Sequence, residues 1–281
     1  MSVLTCQSRQ VNTRAVRSSL AVAVALCFAI AACGGGDGST VASVSTASRS
    51  GSPTASPSPS PTAEPAPGRR VTFRADDGVR ISARVFGRGP VGVVLGHQID
   101  GDQTDWWDFA GLLADEGYSA LTIDFRGYCP GGEAGCSDDA GTGDAWRDLV
   151  AGAVWLDRHG ARRVVLIGAS MGGTAAVVAA SGSDVDGVIT LSAPSECCGM
   201  AITRSIVEEA RGPMLFIAGR FDADLPASAR RLGRWAGSAG DVLILNSGEH
   251  GRDLLGGLAT PQVQRRTIDT VLSFLDRVAE G

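Results

Sequence analysis

The pattern of apolar and polar positions divides residues 69–281 into short strands and amphipathic helices. Residues 69–75 and 79–86 alternate in polarity around Asp76-Asp77-Gly78, which predicts a β-hairpin with an Asp-Gly turn. Short, continuous apolar runs follow, and such runs are typical of strands buried on both faces of a parallel sheet. They predict strands at residues 91–96, 119–125, 164–167, 186–191, 214–218 and 241–245.

Apolar residues between these strands recur at helical spacing. The spacing predicts helices at residues 105–116, 144–159, 202–210, 227–236 and 261–279. A hairpin followed by alternating strands and helices predicts an α/β fold, with a doubly wound, mostly parallel sheet of about eight strands and helices on both faces. Residues 193–213, between the sixth and seventh strands, form a short connection with no room for a large cap.

Residues 164–180 carry the clearest chemical signal in this pattern. A buried strand leads into Gly168-Ala169-Ser170-Met171-Gly172, and an Ala/Val-rich helix follows. The five residues match G-x-S-x-G, the nucleophile elbow, in which small residues let a strand bend sharply into a helix. We therefore expect Ser170 at the tip of the turn, although a glycine-rich turn of this kind can also be purely structural.

The first 32 residues have the design of an export signal. Three arginines precede an apolar run at residues 20–30, and small residues lead to Cys33. The run is about half the length needed to cross a bilayer as a helix. Ile30-Ala31-Ala32-Cys33 resembles the bacterial lipobox, which implies cleavage before Cys33 and a lipid on its thiol. Ordinary secretion with an incidental cysteine is the alternative.

Residues 33–68 are rich in Gly, Ser, Thr and Pro, and they have few apolar side chains to offset the entropy of ordering. We expect a disordered tether there. The chain then divides into a signal peptide at residues 1–32, a tether at 33–68 and one α/β domain at 69–281. This organisation predicts a protein anchored by lipid to the outer face of the cell membrane.

The overall charge bears on the partners of the protein. The chain has a formal net charge of −5 and no basic run, so it gives no support for nucleic-acid binding. The expected partners are a small-molecule substrate and, through the N-terminal lipid, the membrane.

Four cysteines lie in the predicted domain, and an exported protein is expected to pair them. Cys129 and Cys136 bracket one loop, so a local disulfide between them is the first choice. Cys197 and Cys198 would then form a vicinal pair or stay reduced, and cross-links between the two loops are the alternative. No paired C-x-x-C spacing or nearby histidine supports a zinc site.

A serine nucleophile needs a base and an acid that orients it, and the chain has only three histidines. His250 follows the last predicted strand, and loops at the carboxyl ends of parallel strands share one crevice. His250 is therefore the candidate base. Asp222 and Asp224 are both candidate acids after the preceding strand; we favour Asp222, because Asp224 is better placed as a helix N-cap.

Six segments in order carry a family resemblance: VTFRADDGVRISARVFG, VGVVLGH, EGYSALTIDFRG, GASMGG, AGRFDADLP and GEHGRDLL. Together they resemble the α/β-hydrolase superfamily over nearly all of residues 69–281, and the order Ser170, Asp222, His250 is that of the superfamily. The chain is most similar to compact serine esterases and dienelactone-hydrolase-like members. Dienelactone hydrolases use a cysteine nucleophile, however, and this chain has Ser170.

The resemblance also implies an oxyanion hole built from two backbone N–H groups. Met171 supplies one, and the loop after the third strand supplies the other, with Ile99 as first choice and Gln98 as second. The family usually has His-Gly in that loop, where this chain has His97-Gln98.

Three aromatic residues are candidates for the walls of a substrate pocket. Trp106 and Trp107 follow the loop, and Tyr128 lies beside the first pair of cysteines. Adjacent helical residues face different ways, so we expect at most one tryptophan to face the site, and core packing is the alternative for both.

These observations predict an extracytoplasmic serine hydrolase that cleaves carboxylic esters through an acyl-enzyme and needs no metal or organic cofactor. An acyltransferase or amidase on the same three residues is the first alternative. A non-catalytic binding lipoprotein on a hydrolase scaffold is the second.

Overall fold

The structure, a computed structural model, describes residues 67–99, 101–128 and 136–281. The predicted signal peptide, Cys33, nearly all of the predicted tether and Cys129 lie outside the described residues.

Ten strands and six helices make up the described chain. The strands are β1 (Arg69–Arg74), β2 (Arg80–Phe86), β3 (Val91–Gly96), β4 (Ser119–Ile123), β5 (Arg163–Ala169), β6 (Gly187–Leu191), β7 (Glu196–Cys197), β8 (Met200–Ala201), β9 (Met214–Gly219) and β10 (Gly240–Leu245). The helices are α1 (Trp107–Asp115), α2 (Ala145–Arg158), α3 (Met171–Ser181), α4 (Arg204–Glu209), α5 (Leu225–Ala236) and α6 (Pro261–Glu280).

One eight-stranded sheet organises the molecule, in the order β1-β2-β4-β3-β5-β6-β9-β10. The strands from β4 to β10 in this order are parallel, and the β1–β2 hairpin pairs antiparallel along the β4 edge. This confirms the predicted doubly wound sheet with an N-terminal hairpin. The carboxyl ends of the parallel strands therefore meet along one edge of the sheet.

Both faces of the sheet are buried under helices. Along β5, Val164 and Leu166 belong to a core cluster with α2 to α5, whereas Val165 and Ile167 belong to a second cluster with α1 and α6. A strand that faces two cores needs apolar side chains on both faces, which explains why these runs are continuous rather than alternating.

Two segments differ in detail from the prediction. The helix predicted at residues 105–116 begins as a 3₁₀ turn at Gln103–Trp106, because the Asp102 side chain accepts a hydrogen bond from Thr104 N at 2.7 Å and caps the turn. Residues 192–213, predicted as a loop and a short helix, also contain the β7–β8 hairpin. No large cap is inserted in that described segment.

The turn of the N-terminal hairpin is tied to the domain by a buried ion-pair cluster. Arg126, which follows β4, donates to Asp148 of α2 at 2.8 and 3.0 Å and to Asp77 of the hairpin turn at 2.7 Å. Arg126 and Asp148 are almost completely buried, and the carboxylates keep the pKa of Arg126 above its usual range. The cluster holds the hairpin turn against α2.

The cysteines of the described chain are paired. Cys197 and Cys198 form a vicinal disulfide, so the predictions that they stay reduced or pair with the other loop are wrong. Cys136 is also disulfide-bonded. Its predicted partner, Cys129, lies outside the described residues, so that pairing stays a prediction.

None of the helices in the described ranges combines the length and the apolar character that a membrane crossing requires.

Candidate active site

Ser170 occupies a strained turn between β5 and α3. Its backbone has φ = 48° and ψ = −112°, a conformation that costs a residue with a side chain about 1–3 kcal/mol. The surrounding structure holds the turn, since Ser170 N donates to Leu191 O of β6 at 2.8 Å. The residue is 9% exposed, at the edge where the parallel strands end.

The glycines on either side of Ser170 make this turn possible. A Cβ atom on Gly168 would collide with the carbonyl oxygen of Gly172, and a Cβ on Gly172 would collide with the carbonyl oxygen of Gly96 at the end of β3. Only glycine lets α3 approach the strands this closely. The G-x-S-x-G spacing is thus required by backbone packing as well as being a motif.

His250 and Asp222 are brought together from the loops after β10 and β9. The His250 Nδ1 atom lies 3.0 Å from each carboxylate oxygen of Asp222. The Asp222 side chain is 9% exposed and that of His250 is 40% exposed. An Nδ1–H that donates to a carboxylate leaves Nε2 as the proton acceptor of the neutral ring.

The hydrogen bond with Asp222 raises the pKa of His250 above the ordinary histidine value of 6.5. Partial burial acts in the opposite direction but is the smaller effect. The two candidate acids differ clearly: Asp222 is buried against the imidazole, whereas Asp224 is exposed at the N-cap position of α5.

The loop of His250 lies beside the turn of Ser170. A Cβ atom on Gly251 would be 3.4 Å from the Cβ of Ala169, so the residue after His250 is in contact range of the residue before Ser170. Gly251 itself has φ = 56°, which favours glycine. The carboxyl edge of the sheet therefore places Ser170, His250 and Asp222 in neighbouring loops.

The other two histidines lie away from Asp222 and make different contacts. His97 is completely buried, and burial lowers its pKa to about 4. Its neutral ring donates from Nδ1 to Gln98 O at 2.7 Å and accepts at Nε2 from Phe125 N at 3.1 Å. His97 thereby fixes the start of the loop that carries Gln98 and Ile99. His159 ends α2, where its Nδ1 donates to Trp155 O.

The loop after β3 is also fixed at its far end. Gln103 N donates to the buried carboxylate of Asp124 at 3.0 Å, and the Gln103 amide donates to the same group. Burial raises the pKa of Asp124 to about 6. Buried polar groups therefore fix this loop on both sides, at Gln98 and at Gln103.

Tyr128 links this loop to the residue after the serine. Its hydroxyl donates to Ile99 O at 2.7 Å and lies 3.9 Å from the sulfur of Met171. Its ring packs edge-on against His97 at 4.5 Å between centroids. The structure thus brings Tyr128, Ile99 and Met171, all predicted site residues, into one wall.

The sequence did not predict a link between Gln98 and Arg252. Gln98 Oε1 accepts from Arg252 N at 3.2 Å, and the Arg252 side chain returns to donate from Nε to Asp105 O. The loop that carries Gln98 is thus bonded to the residues directly after His250. The one sequence signal was Gln98 itself, which stands where the family has glycine.

The two tryptophans are placed differently from each other. Trp106 has no exposed surface and packs in the core near Phe109, so it cannot line an open pocket. This is the core-packing alternative that the sequence left open. Trp107 is half-buried, and the Arg84 guanidinium lies 4.9 Å from the centre of its ring.

A metal centre finds no support in the described ranges, where His, Cys, Asp and Glu side chains form no group of three or more suited to holding an ion.

The comparisons with known proteins bear on the fold. A family model described as alpha/beta hydrolase fold matches residues 93–209. The chain has the α/β-hydrolase fold. No curated protein sequence matches it.

Several solved structures are similar to this chain. An esterase from Pyrococcus furiosus superimposes with a TM-score of 0.61 at 18% identity, over 74% of this chain and 90% of that one. A thermophilic esterase from Thermogutta terrifontis superimposes with a TM-score of 0.55 at 17% identity, over 75% of this chain and 99% of that one. The enol-lactonase from Burkholderia xenovorans superimposes with a TM-score of 0.57 at 16% identity, over 73% of this chain and 100% of that one.

We predict that His97 and His250 titrate separately in an NMR experiment on the imidazole groups. His250 should titrate above 6.5, because its cation is stabilised by Asp222, and His97 should titrate near 4. Asp222→Asn removes the carboxylate and should lower the pKa of His250, whereas the exposed Asp224→Asn should leave it close to its native value. An unchanged His250 titration in Asp222→Asn would contradict the pairing.

We also predict that the Gln98 side chain protects the Arg252 amide from hydrogen exchange. Gln98→Met keeps the length of the side chain but removes the acceptor, so exchange at Arg252 should accelerate about two- to tenfold, the range expected for one hydrogen bond. Gln98→Glu retains an oxygen acceptor and serves as the matched control. Equal exchange rates in the native chain and Gln98→Met would show that the bond does not hold the loop.

Proposed function

We propose that the protein is a serine hydrolase that cleaves carboxylic esters with Ser170, His250 and Asp222. The observation that carries the proposal is the pairing of His250 Nδ1 with both Asp222 oxygens, in a loop that contacts the strained turn of Ser170. A serine in such a turn, a histidine of defined tautomer and a buried carboxylate are the three parts that acyl transfer needs.

The chemistry follows from the protonation states of these groups. Neutral His250 accepts the hydroxyl proton of Ser170 at Nε2 as the Ser170 oxygen attacks the ester carbonyl. Asp222 stabilises the resulting imidazolium and holds the ring in the required tautomer. His250 then gives the proton to the departing alcohol. Water next attacks the acyl group and gives its proton to His250, and His250 returns the proton to Ser170 as the acid leaves.

The negative oxygen that forms during attack needs hydrogen-bond donors placed in advance. Met171 is the first residue of α3, where a backbone N–H has no acceptor within the helix. Its N–H is the first proposed donor, and that of Ile99 is the second, with Gln98 as the alternative. Two observations support this wall: His97 and Tyr128 both hold the loop in place.

Two further observations support an ester as substrate. The similar solved structures include proteins named as esterases and one named as an enol-lactonase, and both names denote hydrolysis of a carboxylic ester bond. Residues 192–213 form only a small hairpin and the short helix α4, which leaves the serine turn without a bulky cover from that segment. The narrower likeness to dienelactone hydrolases stays a prediction.

We further propose that the protein is exported and carries a lipid on Cys33. The support is the sequence alone: a basic segment, an apolar run and Ile-Ala-Ala-Cys, followed by residues suited to a tether.

We predict that Ser170→Ala lowers kcat/KM for a p-nitrophenyl ester by roughly 10⁴-fold or more, because it removes the nucleophile. Ser192→Ala is the matched control. Ser192 directly follows the neighbouring strand β6, also has positive φ, and its buried hydroxyl has no hydrogen-bond partner in the described chain. It should keep most of the activity.

The same variants separate the proposal from its alternatives. A fluorophosphonate probe should label the native chain and Ser192→Ala but not Ser170→Ala, since labelling needs an activated serine. Equal ester turnover by native and Ser170→Ala chains would overturn the assignment. Labelling at Ser170 together with turnover of amides but not esters would favour the amidase instead.

We predict that Cys33→Ala shifts the protein from the membrane fraction to the soluble extracytoplasmic fraction of a bacterial host, because no lipid can then be attached. Cys27→Ala, which lies within the proposed signal peptide, is the control and should leave the protein in the membrane fraction. Retention of Cys33→Ala in the membrane fraction would contradict the lipid anchor.

A further inference from the structure

A cleft lies at the opposite edge of the sheet from Ser170. It has a volume of about 900 Å³ and is bordered by Pro90 before β3, Ser119 at the start of β4 and Arg162 before β5. These residues stand where the parallel strands begin, whereas Ser170 follows the end of β5. The volume falls in the usual range for small-molecule sites, about 300–1,000 Å³.

Arginine supplies the charge of this cleft. Arg69, Arg88 and Arg162 line it together with His159, and no Asp or Glu is among the described residues of the wall. Within the described chain none of these three arginines forms an ion pair, although the adjacent Arg163 is paired with Asp186 at 2.8 Å. A cleft lined by one sign of charge concentrates its field and selects ligands of the opposite sign.

The frame of the cleft is built from internal hydrogen bonds. Pro90 O accepts from Arg162 N at 2.7 Å and from Arg163 N at 3.3 Å, and Ser119 Oγ accepts from Gly89 N at 2.7 Å. These bonds join the starts of β3, β4 and β5, so the backbone positions of the wall are set before a ligand arrives. A site of this kind loses little free energy to ordering when it binds.

One side of the cleft is aromatic. The rings of Trp155 and His159 are stacked at 3.8 Å between centroids and 15° between planes, and His159 Nδ1 donates to Trp155 O at 2.7 Å. His159 directly follows α2, so the two rings lie at the end of that helix. The wall therefore offers a flat, partly apolar surface next to the guanidinium groups.

We propose that this cleft binds a phosphate group. Guanidinium groups bind phosphate through paired N–H donors. A phosphate carries about −1.5 to −2 charges at pH 7, so it suits a cleft with several arginines better than a ligand with a single carboxylate would. The aromatic side accommodates an organic part of the ligand. A soluble phosphate compound and a phospholipid headgroup share this chemistry. The site is separate from the proposed hydrolase site and does not depend on it.

The first test measures binding of inorganic pyrophosphate to the full chain by isothermal titration calorimetry at low salt. Cys33→Ala is present throughout, so that no lipid on that residue contributes. Removing two guanidinium groups with Arg88→Ala/Arg162→Ala should weaken binding by about tenfold or more. Arg265→Ala/Arg266→Ala removes the same charge from the exposed face of α6 and should change binding by less than about twofold.

Two outcomes would overturn the site. One is a native chain that does not bind pyrophosphate. The other is an equal loss in the two double variants, which would indicate only a general effect of charge. Thermal unfolding checks that both variants are folded, and Arg69→Ala, with one guanidinium removed, provides a second and milder variant that should give a partial loss.

A flotation assay separates the two sources of phosphate. Binding to phosphatidylglycerol vesicles that pyrophosphate competes for, and that Arg88→Ala/Arg162→Ala abolishes, identifies a headgroup. Pyrophosphate binding without flotation on phosphatidylglycerol or phosphatidylcholine vesicles identifies a soluble compound. Either result supports the phosphate site.

Discussion

The close approach of backbone at Gly168, Gly172 and Gly96 is the constraint on which the site depends. Without side chains at these positions, the start of α3 packs directly against β5 and β3. That packing forces the abrupt turn at Ser170 and at the same time brings the first N–H of the helix next to the loop that follows β3. One steric requirement therefore positions both Ser170 and the first N–H of α3 beside the loop after β3. A single methyl group at Gly168 or Gly172 would disturb both.

Three histidines in one chain show how environment assigns a role to the same side chain. His97 is buried in the core, stays neutral and supports the backbone around it through hydrogen bonds. His250 is half-exposed and faces a carboxylate, so its cation is stabilised while its second nitrogen remains available. His159 stacks on a tryptophan at a helix end. Only the second environment combines an exposed proton acceptor with a means of stabilising the charge it acquires.

Much of the fold and of the candidate site could be predicted because it depends on local pattern. The run from Val164 to Ile167 has to be apolar on both faces, and the turn at Ser170 has to have small neighbours. Both requirements can therefore be recognised in the sequence. The choice of Asp222 over Asp224 followed from distance to a helix start, and burial supports it. The link from Gln98 to Arg252 could not be predicted, because it joins residues far apart in the chain through one side-chain oxygen. For Trp106 and for Cys197–Cys198 the sequence left alternatives, since burial and pairing depend on tertiary packing that a local pattern does not contain.

The two edges of the sheet carry different chemical groups, and this bears on the surroundings that each edge faces. The described domain begins at β1, beside the arginine cleft, whereas the serine turn opens at the other edge. If the arginine cleft engages an anionic surface, the serine turn at the other edge faces away from that surface. A small molecule would then reach Ser170 from the surrounding medium rather than from that surface.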